Sequence, residues 1–225
     1  MSSPRDFDAL FALAANRKGG AGAFEQTLPT PKTPAELAAI PDDRWLAAMT
    51  RAIFQAGFSW KVIEAKWPGF ETAFWGFDPG RCSLMSDDDL DVLLKNKGIV
   101  RNGAKIRTVA QNAALLCELA AEHGSAAKAF AHWPSEDFVG LLTLLKKRAS
   151  HLGGTSGQYF LRTMGVDSFI LTRDVVRAMI REGVVEKAPT SQRDLARVQE
   201  AFDRWRGQSG RPMTQISRTL ACSIE

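Results

Sequence analysis

From Pro34 to the C-terminus, apolar residues recur at the three- and four-residue intervals of an amphipathic helix. The pattern is clear in five stretches: DDRWLAAMTRAIFQAGF, DLDVLLKN, KIRTVAQNAALLCELAAEH, DFVGLLTLLKKR and DVVRAMIRE. No stretch of the sequence alternates with a period of two for long enough to predict a strand. The sequence therefore predicts an all-α fold.

The residues that bound these stretches agree with helices. Ser86 precedes three aspartates, which is a strong helix start because carboxylates favour the positive end of the helix dipole. Gly98 and Gly124 are typical C-terminal stops, and Ser135 indicates a further start. We also expect helices over residues 191–207 and over the closing RPMTQISRTLACSIE.

The N-terminal part of the chain has a different character. Residues 17–34, RKGGAGAFEQTLPTPKTP, are rich in Gly, Pro and Thr and show no helical period. We interpret 1–34 as a short helix, at about 5–16, followed by a flexible loop. Residues 35–225 are then expected to form one helical domain.

Composition excludes several classes of protein. No apolar run approaches the roughly 18 to 20 residues that span a bilayer, and MSSPRDFDAL has no signal-peptide core, so we expect neither membrane contact nor export. Cys82, Cys117 and Cys222 are widely spaced, which argues against a disulfide framework and fits a reducing cytoplasm. A net charge of +4 permits a nucleic-acid partner without requiring one.

The segment LKKRASHLGGTSGQYFLRTMG indicates two helices joined by a glycine-dependent hairpin, at about 145–165. Glycines allow close backbone approach, and the first turn of the second helix offers N–H groups without intrahelical partners. Such a turn can hold a DNA phosphate, which positions a protein without reading base sequence. The alternative is a plain helical connection that happens to contain glycines.

Three upstream motifs resemble the DNA-3-methyladenine glycosylase I family, within the helix–hairpin–helix superfamily of base-excision glycosylases. They are QAGFSW at 55–60, FDP at 77–79 and GIVRNGAKI at 98–106, in the family's order. The resemblance spans about residues 45–170. It implies two helical lobes with a cleft between them. The implied activity is hydrolysis of the N-glycosidic bond of alkylated purines, such as 3-methyladenine, in double-stranded DNA.

The resemblance also implies residue roles. Trp60 matches the family's pocket tryptophan and would stack on a base extruded from the duplex; alternatively, it is a core aromatic of an amphipathic helix. Gln55, Gly57 and Phe58 fall where the family inserts side chains into the gap left by that base. The expected phosphate-binding residues are Gly154, Ser156, Gly157, Lys146, Lys147 and Arg101.

The sequence departs from the family at several positions. The family's pocket glutamate falls at Ala52, and its aromatic N-terminal segment with a pocket tyrosine has no counterpart. Its zinc-ligating cysteines and histidines are also missing, because His123, His132 and His151 lack metal-ligand spacing. We therefore expect no zinc and no cofactor.

One acidic residue, Asp174, is present in this sequence and absent from the family. Asp174 follows the hairpin, where the wider superfamily uses an aspartate to stabilise an oxocarbenium-like sugar. An alternative register places Thr172 there, and Asp174 would then simply favour a helix dipole. Bifunctional members carry a nucleophilic lysine at the position of Gln158, so we expect hydrolysis without lyase activity.

Three functions remain open from the sequence. The first is a monomeric glycosylase of the cytoplasm, associated with the nucleoid. The second is a catalytically weak relative that binds DNA or lesions, which the loss at Ala52 favours. The third is a helical interaction module without a role on DNA.

Overall fold

The computed structural model describes residues 4–225, and within that range every regular element is a helix. The all-α class predicted from the periodicity is therefore confirmed. None of the helices between these residues is long and apolar enough to cross a membrane.

The α-helices between residues 4 and 225 are α1 (Phe7–Arg17), α2 (Ala21–Glu25), α3 (Pro34–Ala38), α4 (Asp42–Gln55), α5 (Trp60–Ala73), α6 (Pro79–Ser83), α7 (Asp87–Lys95), α8 (Gly103–His123), α9 (Ala126–Ala131), α10 (Phe138–Arg148), α11 (Thr155–Met164), α12 (Arg173–Arg181), α13 (Gln192–Ser209) and α14 (Met213–Cys222). Short 3-10 turns lie at Trp75–Phe77 and Ser135–Asp137.

Contacts divide the chain into two compact units. Among the described residues, the terminal unit contains 4–31 together with Pro134–Gly140 and Asp167–Glu225. The central unit contains Lys32–Trp133 and Leu141–Val166.

The core of the terminal unit is aromatic. The ring of Phe169 stacks on Phe202 with centroids 4.6 Å apart, and Phe138 meets Phe169 edge to face at 4.8 Å. Helix α1 matches the expected N-terminal helix, but the stretch expected to be a flexible loop contains α2. The side chain of Phe24 explains why this stretch is ordered. It is fully buried, and its ring centroid lies 5.4 Å from that of Phe11.

Predicted helix ends agree with the structure where a side chain caps the backbone. Ser86 caps α7 in a reciprocal capping box with Asp89, and Ser191 caps α13. Gly124 ends α8 in the left-handed conformation, at φ +83°. Helix α7 instead ends at Lys95, before Gly98.

In the central unit, an ion pair ties α4 to α5. Arg44 donates two hydrogen bonds to Glu71, at 2.8 and 3.0 Å, and the indole N–H of Trp67 donates to the same carboxylate at 2.9 Å. Burial raises the pKa of Glu71, but the hydrogen bonds from Arg44 and Trp67 outweigh it and leave that pKa below 4.5. This pair fixes the orientation of α5, whose first residue is Trp60.

Candidate functional site

Trp60 is 57% exposed and is not a core residue. It begins α5, and its indole meets the ring of Tyr159 edge to face, with centroids 6.2 Å apart and an interplanar angle of 89°. Tyr159 belongs to α11 and is itself 39% exposed. The central unit thus presents two aromatic rings to solvent, one at the start of α5 and one on α11.

Tyr159 was not among the site residues expected from the sequence. It is the only tyrosine in the chain, and it lies two residues after Gly157 in the hairpin motif. That position could have indicated it. Its contact with Trp60 could not have been foreseen, because it depends on how α5 and α11 pack in space.

Of the residues expected to enter the DNA gap, Gln55 ends α4, and Gly57 and Phe58 lie in the loop between α4 and α5. Gly57 is exposed at φ +91°, and Phe58 is half-buried. The ammonium of Lys105 donates to the carbonyl oxygens of Ile53, at 2.5 Å, and Ala56. It also lies 5.0 Å from the ring centroid of Phe58, within cation–π range.

Lys105 therefore connects two of the three sequence motifs, since it belongs to GIVRNGAKI and holds the start of the QAGFSW loop. Two backbone carbonyl oxygens and one aromatic ring surround its ammonium. Burial lowers the pKa of Lys105. The loop that carries Phe58 is thus anchored from α8. The expected role of Gln55, Gly57 and Phe58 on DNA remains a prediction.

The hairpin depends on one glycine more than on the others. A Cβ atom added at Gly157 would lie 2.2 Å from the carbonyl oxygen of Leu152, whereas at Gly154 nothing lies within 4 Å. Gly157 is buried, and its N–H donates to the oxygen of Gly154 at 3.1 Å. Gly157 therefore serves close packing, and phosphate contact remains a prediction for Gly154 and Ser156 at the start of α11.

A buried asparagine from α8 holds the hairpin backbone. Asn112 donates its side-chain N–H to the oxygen of Ser150 at 3.1 Å and accepts the N–H of Ser150 at 2.8 Å. His151, the next residue, has φ +61°, a conformation that is costly for a residue other than glycine. These two hydrogen bonds stabilise the strained turn between α10 and α11.

The basic residues around the hairpin differ in their surroundings. Arg148 is engaged by Glu118 at 3.0 Å and by Glu122 at 2.9 Å. Lys146 and Lys147 are exposed at the end of α10, and Arg101 is exposed before α8. The two lysines thus point their charges to solvent beside the turn.

Asp174 lies in the terminal unit, in the first turn of α12, where its side chain is 54% exposed. The residue that caps this helix is Thr172, whose hydroxyl accepts the N–H of Val175 at 3.3 Å. Arg177 approaches the Asp174 carboxylate only at 3.9 Å. Asp174 is thus accessible and weakly paired, and the choice between Asp174 and Thr172 remains a prediction.

The position where a nucleophilic lysine would stand is occupied by Gln158, which is buried. Between residues 4 and 225, no three His, Cys, Asp or Glu side chains come together in a way that could hold a metal ion.

Residues 39–139 match the family model of the methyladenine glycosylases. A DNA-3-methyladenine glycosylase from Haemophilus influenzae is 36% identical over 59 residues, and DNA-3-methyladenine glycosylase 1 from Escherichia coli is 34% identical over 59 residues. Each match covers 26% of this chain and 32% of the relative, so the matching segment spans about a third of these relatives. The resemblance seen in the three motifs is confirmed.

The fold has a counterpart among solved structures. The 3-methyladenine DNA glycosylase I from Staphylococcus aureus, solved to explain 3-methyladenine recognition, superposes with a TM-score of 0.50 at 17% identity. The match covers 68% of this chain and 92% of that one. It supports the same helical fold.

Proposed function

We propose that this chain, which residues 39–139 relate to the methyladenine glycosylase family, is a monofunctional DNA glycosylase that removes alkylated purines. The observation that carries the proposal is the solvent-exposed contact of Trp60 with Tyr159 beside the hairpin. Tryptophan is highly buried on average, so a 57% exposed tryptophan that contacts a second exposed aromatic ring marks a candidate binding surface. Stacking on an extruded base accounts for its exposure.

In this proposal, Trp60 provides the stacking face and Tyr159 borders the base from the hairpin side. Stacking of a base on an aromatic side chain contributes about 1 to 3 kcal/mol. Purines alkylated at N3 or N7 carry a positive charge in DNA, and a cation is attracted to the face of an indole. In the same proposal, the loop of Gly57 and Phe58, which Lys105 anchors, fills the gap in the duplex.

In this proposal, the hairpin contacts the DNA backbone. The start of α11 offers N–H groups from Thr155 and Ser156, and the positive end of its dipole favours a phosphate. Lys146 and Lys147 add charge at the end of α10. Such contacts give affinity that is independent of base sequence and sensitive to salt.

For the bond cleavage, Asp174 is the proposed catalytic carboxylate. Loss of a purine leaves positive charge on the sugar, which a fixed carboxylate stabilises most strongly where water is excluded. A cationic purine is a good leaving group, so a single carboxylate is sufficient. Because Gln158 cannot attack the sugar as an amine, the DNA strand stays uncut.

A second candidate is a relative that binds alkylated DNA without releasing the base. Ala52 favours it, since a methyl group stands where the family carries its pocket glutamate. Base release distinguishes the two. The purified protein is incubated with DNA that has been treated with a chemical methylating agent. The released bases are then separated by chromatography. We expect 3-methyladenine above the spontaneous rate seen with heat-inactivated protein; strong binding without release would select the second candidate.

A further inference from the structure

A carboxylate lies one helical turn beyond the exposed tryptophan. Glu64 and Trp60 are four residues apart on α5, which places their Cβ atoms on the same face about 5 to 6 Å apart. The Glu64 side chain is 51% exposed. An exposed aromatic ring and an exposed carboxylate therefore share one face of one helix.

Two residues of α4 hold the Glu64 carboxylate. Gln55 donates its side-chain N–H to Oε1 at 3.2 Å, and Nη1 of Arg51 lies 3.5 Å from Oε2. Arg51 and Gln55 are one turn apart, and Ala52 shares a face of α4 with Gln55. The carboxylate of Glu64 thus reaches from α5 to the turn of α4 where Ala52 contributes only a methyl group.

The charge of Glu64 is not neutralised by a close ion pair. At 3.5 Å, the contact with Arg51 is longer than the 2.7 to 2.9 Å, roughly, of a charge-assisted hydrogen bond. The Arg51 guanidinium is also committed elsewhere, since it stacks over the ring of Trp67 at 4.1 Å from the centroid. The carboxylate keeps acceptor capacity for another cation.

An aromatic face and a carboxylate in this arrangement suit a flat, positively charged ligand. The ring attracts a cation through its quadrupole, and the carboxylate attracts the same charge directly or accepts a hydrogen bond from an exocyclic amine. N3- and N7-alkylated purines in DNA are flat cations with ring-edge donors. Hypoxanthine, uracil and undamaged bases are neutral.

We propose that Glu64 is a specificity-determining residue that selects positively charged alkylated purines over neutral bases of similar shape. The proposal rests on the proposed glycosylase function, because it assumes that the base is presented to Trp60. The two proposals are tested by different measurements. The role of Glu64 requires recognition of the charge on the base, which a binding measurement detects without any base release.

The test measures affinity for two duplexes that resist cleavage. One contains 2′-fluoro-7-methylguanosine, which is cationic, and the other contains 3-deaza-3-methyladenine, which has the shape of a methylated adenine without the charge. We expect the native protein to prefer the cationic probe. Glu64→Gln should lower affinity for that probe about tenfold and change affinity for the neutral probe less than twofold.

The matched control is Glu25→Gln. Glu25 is another exposed glutamate, paired with Arg211 at 2.8 Å in the terminal unit. It should leave both affinities unchanged. Equal losses on both probes in Glu64→Gln, no loss on either, or a native protein that does not prefer the cationic probe would each overturn the role of Glu64. Base release by the native protein is measured separately, so failure of the proposed catalysis is recognised independently.

Discussion

The indole of Trp60 and the phenol ring of Tyr159 lie edge to face with centroids 6.2 Å apart, although each is more than a third exposed. The contact joins the first turn of α5 to the second turn of α11, and hence the QAGFSW motif to the hairpin. In edge-to-face packing, at least one face of each ring is not covered by the other ring. In the proposed role of Trp60, an extruded base stacks on the indole while Tyr159 restrains it.

We predict that Trp60→Ala reduces discrimination between alkylated and intact duplexes about tenfold, with a smaller effect on affinity for intact DNA. Stacking is gained only after the base has left the duplex, so only the alkylated duplex loses it. Tyr159→Ala should act in the same direction and more weakly. The check is competitive binding, with Leu84→Ala as control because Leu84 is an exposed apolar residue elsewhere in the unit. Equal loss on both duplexes would contradict the role.

Substitutions of Gly157 and Gly154, two of the three glycines in the hairpin segment LGGTSG, are predicted to differ in effect. Gly157→Ala should destabilise the protein by about 1 to 3 kcal/mol and weaken DNA binding for all sequences, because its Cβ collides with the backbone of Leu152. Gly154→Ala has open space and should leave stability within about 0.5 kcal/mol. Chemical denaturation and salt titrations of DNA affinity check both. Similar stability for the two variants would contradict the packing account.

The sequence predicted the helices and their caps well, and the site less well. Ser86, Gly124 and Ser191 act through neighbours three or four residues away, so the local sequence contains the whole signal. The exposure of Trp60 and its contact with Tyr159 depend on the packing of distant helices. The buried hydrogen bonds of Asn112 with Ser150 have the same origin.

We predict that acidic pH lowers the free energy of unfolding because Glu71 loses its ion pair with Arg44. Its pKa is lowered in the folded state, so its ion pair stabilises the fold above pH 4.5, and this contribution is lost as the pH falls through the lower folded-state value. Glu71→Gln should cost about 1 to 2 kcal/mol at pH 7, allowing for solvent screening. The difference in the free energy of unfolding between the native protein and Glu71→Gln, measured by urea unfolding, should disappear as the pH falls below 4.5. Glu118→Gln, which removes an exposed ion pair, should show little change at any pH.

Asp174→Asn should reduce base release by at least a hundredfold while leaving DNA affinity and stability close to native. Asn keeps the size of the side chain and removes the charge that stabilises the sugar cation. Asp88→Asn is a close control, because Asp88 is also the exposed second residue of a helix, α7. Thr172→Ala should instead lower stability by about 1 kcal/mol through loss of the α12 cap. Native rates in Asp174→Asn would assign the chemistry to another residue.

The most direct test of the glycosylase proposal is a single-turnover reaction on a duplex with one 3-methyladenine, labelled on the damaged strand. We expect release of the free base at a rate well above spontaneous depurination. The labelled strand should stay intact until alkali cuts it at the resulting abasic site. Base loss at the spontaneous rate, despite saturating protein, would contradict the account.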